Sequence, residues 1–467
     1  MAKTLSRNRN PCLKPNAKAQ ESHETSQAQG FSKLRVPSAD FAHHRVGVAR
    51  LNHGSFGSPP APVLEKAQEY RSEWLAQPDE WYYADRLEDG LRSSTAAVAK
   101  LMNSEAEQVV LVENATVAAC IVAQRWGRLV LAAASKPHAD CASDEHGHPR
   151  RPKVMMFNFA YEAVVNVVRH YCCDVGADLV LVDIPFPISH SKEVLDAIQR
   201  CIDRHQPEYA LLDMVTSQPA ITIPIIDVVK LCQSSGMEVA VDAAHALGNV
   251  EVDVEAIGAD FLFTNLHKWA FAPSGVCALQ FQGDTEKVEQ LHHPIVSWHW
   301  REGLKAESMW TGTRDYSAML AVPRSLAYHA EAGGGGAHGH LHLMQFNHSQ
   351  VLRFAYMLGE AWGTIEKDGA LPVPPSMCSS MAMVRLPEAL KADSPEAVAA
   401  LRSRLREVFK VEAALICLNK QCYVRLSHQI YNCKADYVRL QEAVKRMAKG
   451  KDLVEQEQRV VEQEQSQ

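Results

Sequence analysis

Six short apolar runs, at residues 109–112, 154–157, 179–182, 209–212, 237–241 and 261–263, are each separated from the next by enough chain for a helix. A run of three to five apolar residues with little polar alternation is the pattern of a strand covered on both faces. The connection before the fifth run carries Ile225, Val228, Val229 and Cys232 at i, i+3, i+4 and i+7, one stripe of a helix, and Gly236 is placed to end it. Strands alternating with helices in this way predict an α/β fold built on a mostly parallel, doubly wound sheet. The alternation extends from about residue 42 to 283, so most of the 467 residues serve one large unit.

Beyond Gly283 the pattern changes. A helical stretch follows the glycine run at 333–336, and after the proline-rich 371–375 a smaller α+β unit is expected. It has strands at 381–386, 413–418 and 422–426, a helix at 395–409, and a closing helix with Tyr437, Leu440, Val444 and Met447 on one face. The expected organisation is a basic leader (1–40), a large domain with its N-terminal segment (41–370), a small C-terminal domain (371–450) and a polar Glu/Gln tail (451–467). The first twenty residues hold five bases (Lys3, Arg7, Arg9, Lys14, Lys18) and no acid, which fits either an organellar transit peptide (mitochondrial or chloroplast) or a floppy tail on a cytoplasmic protein. Residues 140–152, with His and Pro, read as a surface insertion.

The net charge of −7, spread along the chain, argues against a general nucleic-acid binder, which needs a basic face to displace counterions. No uncharged apolar run approaches the ~20 residues that cross a bilayer, so no membrane partner is expected. The twelve cysteines are scattered without a Cys-x-x-Cys pair and read as small core residues under reducing conditions. His338, His340 and His342 follow the glycine run without a nearby acid or cysteine pattern; a mobile surface loop, not a metal site, is the expectation.

Ligands of an open parallel sheet sit beyond the carboxyl ends of its strands. There the sequence offers Glu113-Asn114-Ala115-Thr116 opening a helix, Asp213 with Thr216 and Ser217, Asp242 with His245, and Asn265 with His267 and Lys268. Taken singly, these are a helix cap, a strand-end acid and a snorkelling lysine. Together they are the parts a pyridoxal phosphate (PLP) site requires. A buried lysine amine joins the cofactor covalently, a carboxylate keeps the pyridine nitrogen protonated, and a helix N-terminus receives the phosphate.

The segments 41–57, 77–80, 241–248, 265–269, 310–316 and 424–432, with Asp242 and Lys268 spaced 26 residues apart, resemble fold-type I, class V aminotransferase-like PLP enzymes. Within them the likeness is to the isopenicillin-N-epimerase-like branch that includes the plant-type L-cysteine desulfhydrases, and it covers about residues 41–448. The resemblance implies a seven-stranded-type sheet and PLP on Lys268. Asp242 would meet the pyridine nitrogen, His245 would lie near the phenolic oxygen, and Tyr161 would stack on the ring. Ala115, Thr116, Asn265 and His267 would bind the phosphate, with Ser217 on the cofactor side. Thr313 would reach the phosphate from the partner of a homodimer. Arg425 would clamp the substrate carboxylate, with Asn52 and His53 nearby. Cys378, 47 residues before Arg425, reads as structural and not as a persulfide-forming nucleophile. The implied reaction is α,β-elimination of L-cysteine; epimerisation, transamination and desulfuration on the same cofactor are the alternatives that residue chemistry leaves open, and a non-catalytic PLP-binding scaffold is the alternative from another class.

Overall fold

The structure, a computed structural model, describes residues 34, 36–135, 150–283, 285–365 and 370–450. The expected leader up to residue 33, the core of the 140–152 insertion and the tail from 451 lie outside the described residues.

Seven strands form the main sheet: β1 (Val109–Val112), β2 (Lys153–Phe157), β3 (Asp178–Val182), β4 (Tyr209–Asp213), β5 (Glu238–Asp242), β6 (Phe261–Asn265) and β7 (Cys277–Phe281), in the order β1-β7-β6-β5-β4-β2-β3. β2 to β6 run parallel, and β7 is antiparallel to both β6 and β1. The six apolar runs coincide with β1 to β6. β7 was not among them, because Gln280 interrupts its apolar character and too little chain separates it from β6 for a helix.

Alternate strand residues enter opposite cores, as the two-residue period of a strand requires. Val110, Val154, Met156, Leu211, Ala240, Phe261 and Phe263 pack on one face under α1 (Ala115–Ala134) and α2 (Glu162–Val168). Val109, Leu111, Met155, Phe157, Leu212, Val239, Val241 and Leu262 pack on the other under α3 (Lys192–His205) and α4 (Ile225–Ser234). In α4 the buried residues are Ile225, Val228, Val229 and Cys232, the stripe read from the sequence, and Gly236 follows at φ +81°. The helix α1 is long and apolar enough to cross a bilayer by length and composition. Here half of it is buried against the sheet, and its Arg125 pairs with Glu238 at 2.5 Å. It is a core helix.

The helix α5 (Gly339–Trp362) starts where a mobile loop was expected. His338 is its N-cap, and His340 and His342 lie in its first turn. His340 Nδ1 sits 2.9 Å from Nδ1 of the buried His329, so this histidine run packs against the core. Among the described residues no group of three or more metal-ligating side chains converges.

A second, antiparallel sheet has the order β9-β10-β8, from β8 (Met381–Arg385), β9 (Ala414–Leu418) and β10 (Gln421–Ser427), with α6 (Pro395–Glu407) and α7 (Lys434–Ala448) packed on it. The N-terminal segment is stitched to this unit: Ala49 and Arg50 pair with Val411 and Glu412, and Asn52 bridges to Ser427. That stitching carries residues 52–57 across the mouth of the large sheet's carboxyl rim.

Candidate active site

The carboxyl ends of β4, β5 and β6 fall side by side and deliver Asp213, Asp242 and Asn265 to one rim. Immediately after Asn265 the chain makes the short turn Leu266–Trp269, which directs Lys268 back toward β5. Lys268 Nζ lies 3.0 Å from His245 Nε2. The indole of Trp269 holds the other imidazole nitrogen at 3.4 Å. Burial lowers the Lys268 pKa to about 8, with the Asp242 carboxylate opposing that shift and Arg425 adding to it. Burial also drives the His245 pKa well below its ordinary value, assisted by Lys268, so the ring is neutral; with Nδ1 accepting the indole N–H, Nε2 carries the ring proton and donates toward the amine.

Two glycines grip the lysine turn. At Gly57 (φ +69°) a Cβ would stand 1.7 Å from the His267 carbonyl oxygen, and at Gly248 (φ +84°) one would stand 2.7 Å from the Trp269 carbonyl carbon. Both positions need the left-handed backbone and the missing side chain. His53 lies beneath the same turn. It is 2% exposed, interacts with the Lys268 backbone, and bonds to the Tyr431 hydroxyl at 3.0 Å. The sequence grouped His53 with Asn52 near the substrate; the structure instead makes it a support of the lysine turn.

Asp242 is 5% exposed and accepts the Ala244 amide at 2.9 Å. Burial raises its pKa. Among the described residues no basic group comes within ion-pair distance of its carboxylate, which leaves an unmatched buried acceptor facing the lysine. Asp213 shares its rung, in register with Asp242.

At the opposite end of the rim, Asn114 caps α1 by accepting the Val117 amide at 3.1 Å, and Asn265 Oδ1 accepts the Ala115 amide at 2.9 Å. The expectation gave the Ala115 amide to a phosphate; in this structure Asn265 takes it. The Thr116 amide has no protein acceptor among the described residues. His267 is half-buried, with Nδ1 at 3.3 Å from the Val276 carbonyl. Tyr161 is the N-cap of α2 and is 56% exposed, with no aromatic ring against it among the described residues. Glu113, which sequence reasoning left without a role, gathers His293 (3.3 Å), Arg314 (3.3 Å) and the Thr311 hydroxyl (3.3 Å). Burial pushes its pKa up, but the His293 bond and the Arg314 charge outweigh this and hold it at about 2. The ion pair anchors the 311–314 loop beside the α1 N-terminus and leaves Thr313 exposed.

Arg425, on β10, is 1% exposed. One guanidinium nitrogen donates to the Ser217 carbonyl (2.9 Å) and hydroxyl (3.1 Å), the other to Asn52 Oδ1 (2.7 Å) and Ser55 Oγ (2.8 Å). Its Nε has no partner, and no carboxylate lies within ion-pair distance among the described residues. Burial, with Arg402 nearby, lowers its pKa to about 10. A buried cation held only by neutral oxygens is matched by an anionic ligand. Ser217, expected on the cofactor side, is spent on this arginine. Asn52 also lines a cavity of about 590 Å³ whose walls carry Arg45, Arg402 and Lys410.

The residues fit PLP on this structure's own features. There is an unmatched buried carboxylate for a pyridinium, a buried amine whose lowered pKa of about 8 eases loss of its proton for the aldehyde, and an open helix N-terminus for the phosphate. A sheet of this order with such a rim defines a PLP-dependent enzyme of fold-type I. The Aminotransferase class-V family model matches residues 57–297, and the chain belongs to that family. It is 38% identical to a putative L-cysteine desulfhydrase of Oryza sativa over 88% of this chain and 85% of that one. It is 37% identical to the L-cysteine desulfhydrase of Arabidopsis thaliana over 88% and 90%. Among solved structures it resembles the cysteine desulfurase of Thermococcus onnurineus, with a TM-score of 0.65, 16% identity, and coverage of 86% of this chain and 95% of that one.

Proposed function

We propose that the protein is a PLP-dependent L-cysteine desulfhydrase, a carbon–sulfur lyase that converts L-cysteine and water to pyruvate, ammonia and hydrogen sulfide. The observation that carries the reading is the relatives' shared name at 37–38% identity over nearly the whole chain. The anion-free Arg425 beside the amine of Lys268 supports it. When bound, PLP supplies an electron sink that lets the Cα–H bond of an amino acid ionise.

The chain's residues divide the remaining work. Arg425, preset by Asn52, Ser55 and Ser217, takes the substrate carboxylate and orients Cα. Lys268, with a pKa lowered to about 8 and so half-neutral near that pH, removes the Cα proton as general base. His245 stays neutral at 3.0 Å and steadies that amine. Asp242 would hold the pyridine nitrogen and keep it protonated. Tyr161 would cover the ring, and Thr116, Asn265 and His267 would hold the phosphate. The leaving thiolate departs from Cβ as sulfide. Cys378 is no sulfur acceptor in this reading: it is buried, donates to the Val373 carbonyl at 3.8 Å, and burial raises its pKa to about 12. The exposed Thr313 and the neighbouring exposed Val296 and Trp298 suit a homodimer in which Thr313 serves the partner's site.

The test is assay of sulfide and pyruvate together from purified protein and L-cysteine without added thiol. Equimolar release is expected. Loss of optical rotation without sulfide would instead identify an epimerase.

A further inference from the structure

Asp213 and Asp242 end adjacent parallel strands at paired register positions, so their Cα atoms stand about 4.8 Å apart and their side chains leave the same face of the sheet. They are 4% and 5% exposed. Two carboxylates in that position cannot both ionise without strong repulsion. Their surroundings separate them. Asp242 accepts the Ala244 amide and lies nearer the lysine's influence. Among the described residues the only hydrogen bond to the Asp213 carboxyl comes from its own backbone, and no cation pairs with it.

We propose that Asp213 is a positioning residue that stands on this rung as the neutral acid, so that Asp242 alone carries the negative charge toward the cofactor nitrogen. Burial and the Asp242 charge both drive the Asp213 pKa well above the ordinary carboxylate range. The titratable groups facing the pair are Lys268 and Cys277, and Cys277 remains a neutral thiol because burial and Asp242 push its pKa far up. One lysine cation against one aspartate anion balances the buried site. Ionising Asp213 would leave it with an unmatched charge, and a second anion would tighten the nitrogen's proton and pull the lysine toward its charged form. The neutral acid therefore fixes the strength of the Asp242 charge without adding to it.

This inference rests on Asp242 being the nitrogen's partner. Its test does not depend on turnover. Infrared spectra of the full chain stripped of PLP, at neutral pH, are expected to contain the C=O stretch of a buried carboxylic acid. That band should vanish in Asp213→Asn and persist in Asp242→Asn. Absence of the band in the wild type, or its loss only in Asp242→Asn, overturns the assignment. The amide in Asp213→Asn mimics the neutral acid, so PLP affinity and the visible absorption maximum of the holoenzyme should stay within about threefold and unshifted, respectively. A loss of affinity beyond about tenfold, equivalent to one pKa unit of interaction, overturns it as well. Absence of the wild-type band overturns the assignment even where a variant fails to fold.

Discussion

The two cations of the site are housed in opposite ways. Lys268 sits buried beside a neutral imidazole and one facing carboxylate, on a turn that directly follows β6, and Asp242, His245 and Trp269 all lie within 26 positions of it. Arg425 sits among neutral oxygens drawn from residues 52, 55 and 217, which are 208 to 373 positions away. The first arrangement lowers the pKa of an amine that must lose its proton. The second preserves a full charge and leaves it unanswered until a carboxylate arrives. A base has to be discharged and an anchor has to stay charged, and the difference in neighbours achieves both within one cleft.

The contrast can be broken most severely at the lysine. Lys268→Ala should cut sulfide release by about 10³-fold or more and remove the visible band of lysine-linked cofactor, since general-base work and covalent attachment are both lost. Retention of either would remove Lys268 from its role. Next in size is the glycine that holds the turn. Gly57→Ala forces a Cβ onto the His267 carbonyl at a positive φ and should destabilise the fold by about 3 kcal/mol, seen as a lower Tm together with reduced PLP content. An unchanged Tm would mean that the turn yields freely.

At the anchor, Arg425→Lys keeps the charge but loses the fork. The KM for L-cysteine should rise roughly 10- to 100-fold with a smaller change in kcat. A fall confined to kcat would place the arginine elsewhere in the reaction.

The mildest effect concerns pH. The Lys268 pKa is lowered in the folded chain, to about 8, so its neutral form grows as pH rises through that value. Reconstitution of stripped protein with PLP should accelerate about tenfold from about pH 7 to about pH 9. The stability of the stripped protein should also increase from about pH 8 up to the unfolded lysine pKa near 10.4, because the unfolded state then binds more protons. A flat rate profile would show that the amine does not limit capture.

The lysine side of this comparison was legible in the chain. Buried strands announce themselves as continuous apolar runs, and a ligand rim lies at their carboxyl ends, so the sequence alone puts Asp242, His245, Asn265 and Lys268 on that rim. Glu113 and Asp213 stood in the same strand-end positions, yet nothing local separates a polar strand terminus that gathers an ion pair from one that keeps its proton. The partners of Ser217 and His53, namely Arg425 for the first and Tyr431 with the Lys268 backbone for the second, were likewise not legible, because a side chain's partner depends on which distant segment packs against it.

The sequence by itself determined the alternation of the first six strands with helices, the two-faced core and the strand-end chemistry, because these follow from periodicities of two and 3.6 residues and from the chain's immediate continuation. Only the tertiary structure decided that residues 49–52 cross to the small sheet, that neutral oxygens alone hold Arg425, and that two carboxyls share a rung. Those outcomes depend on register between remote strands and on the dielectric of the packed interior, and both arise only once the chain has closed on itself.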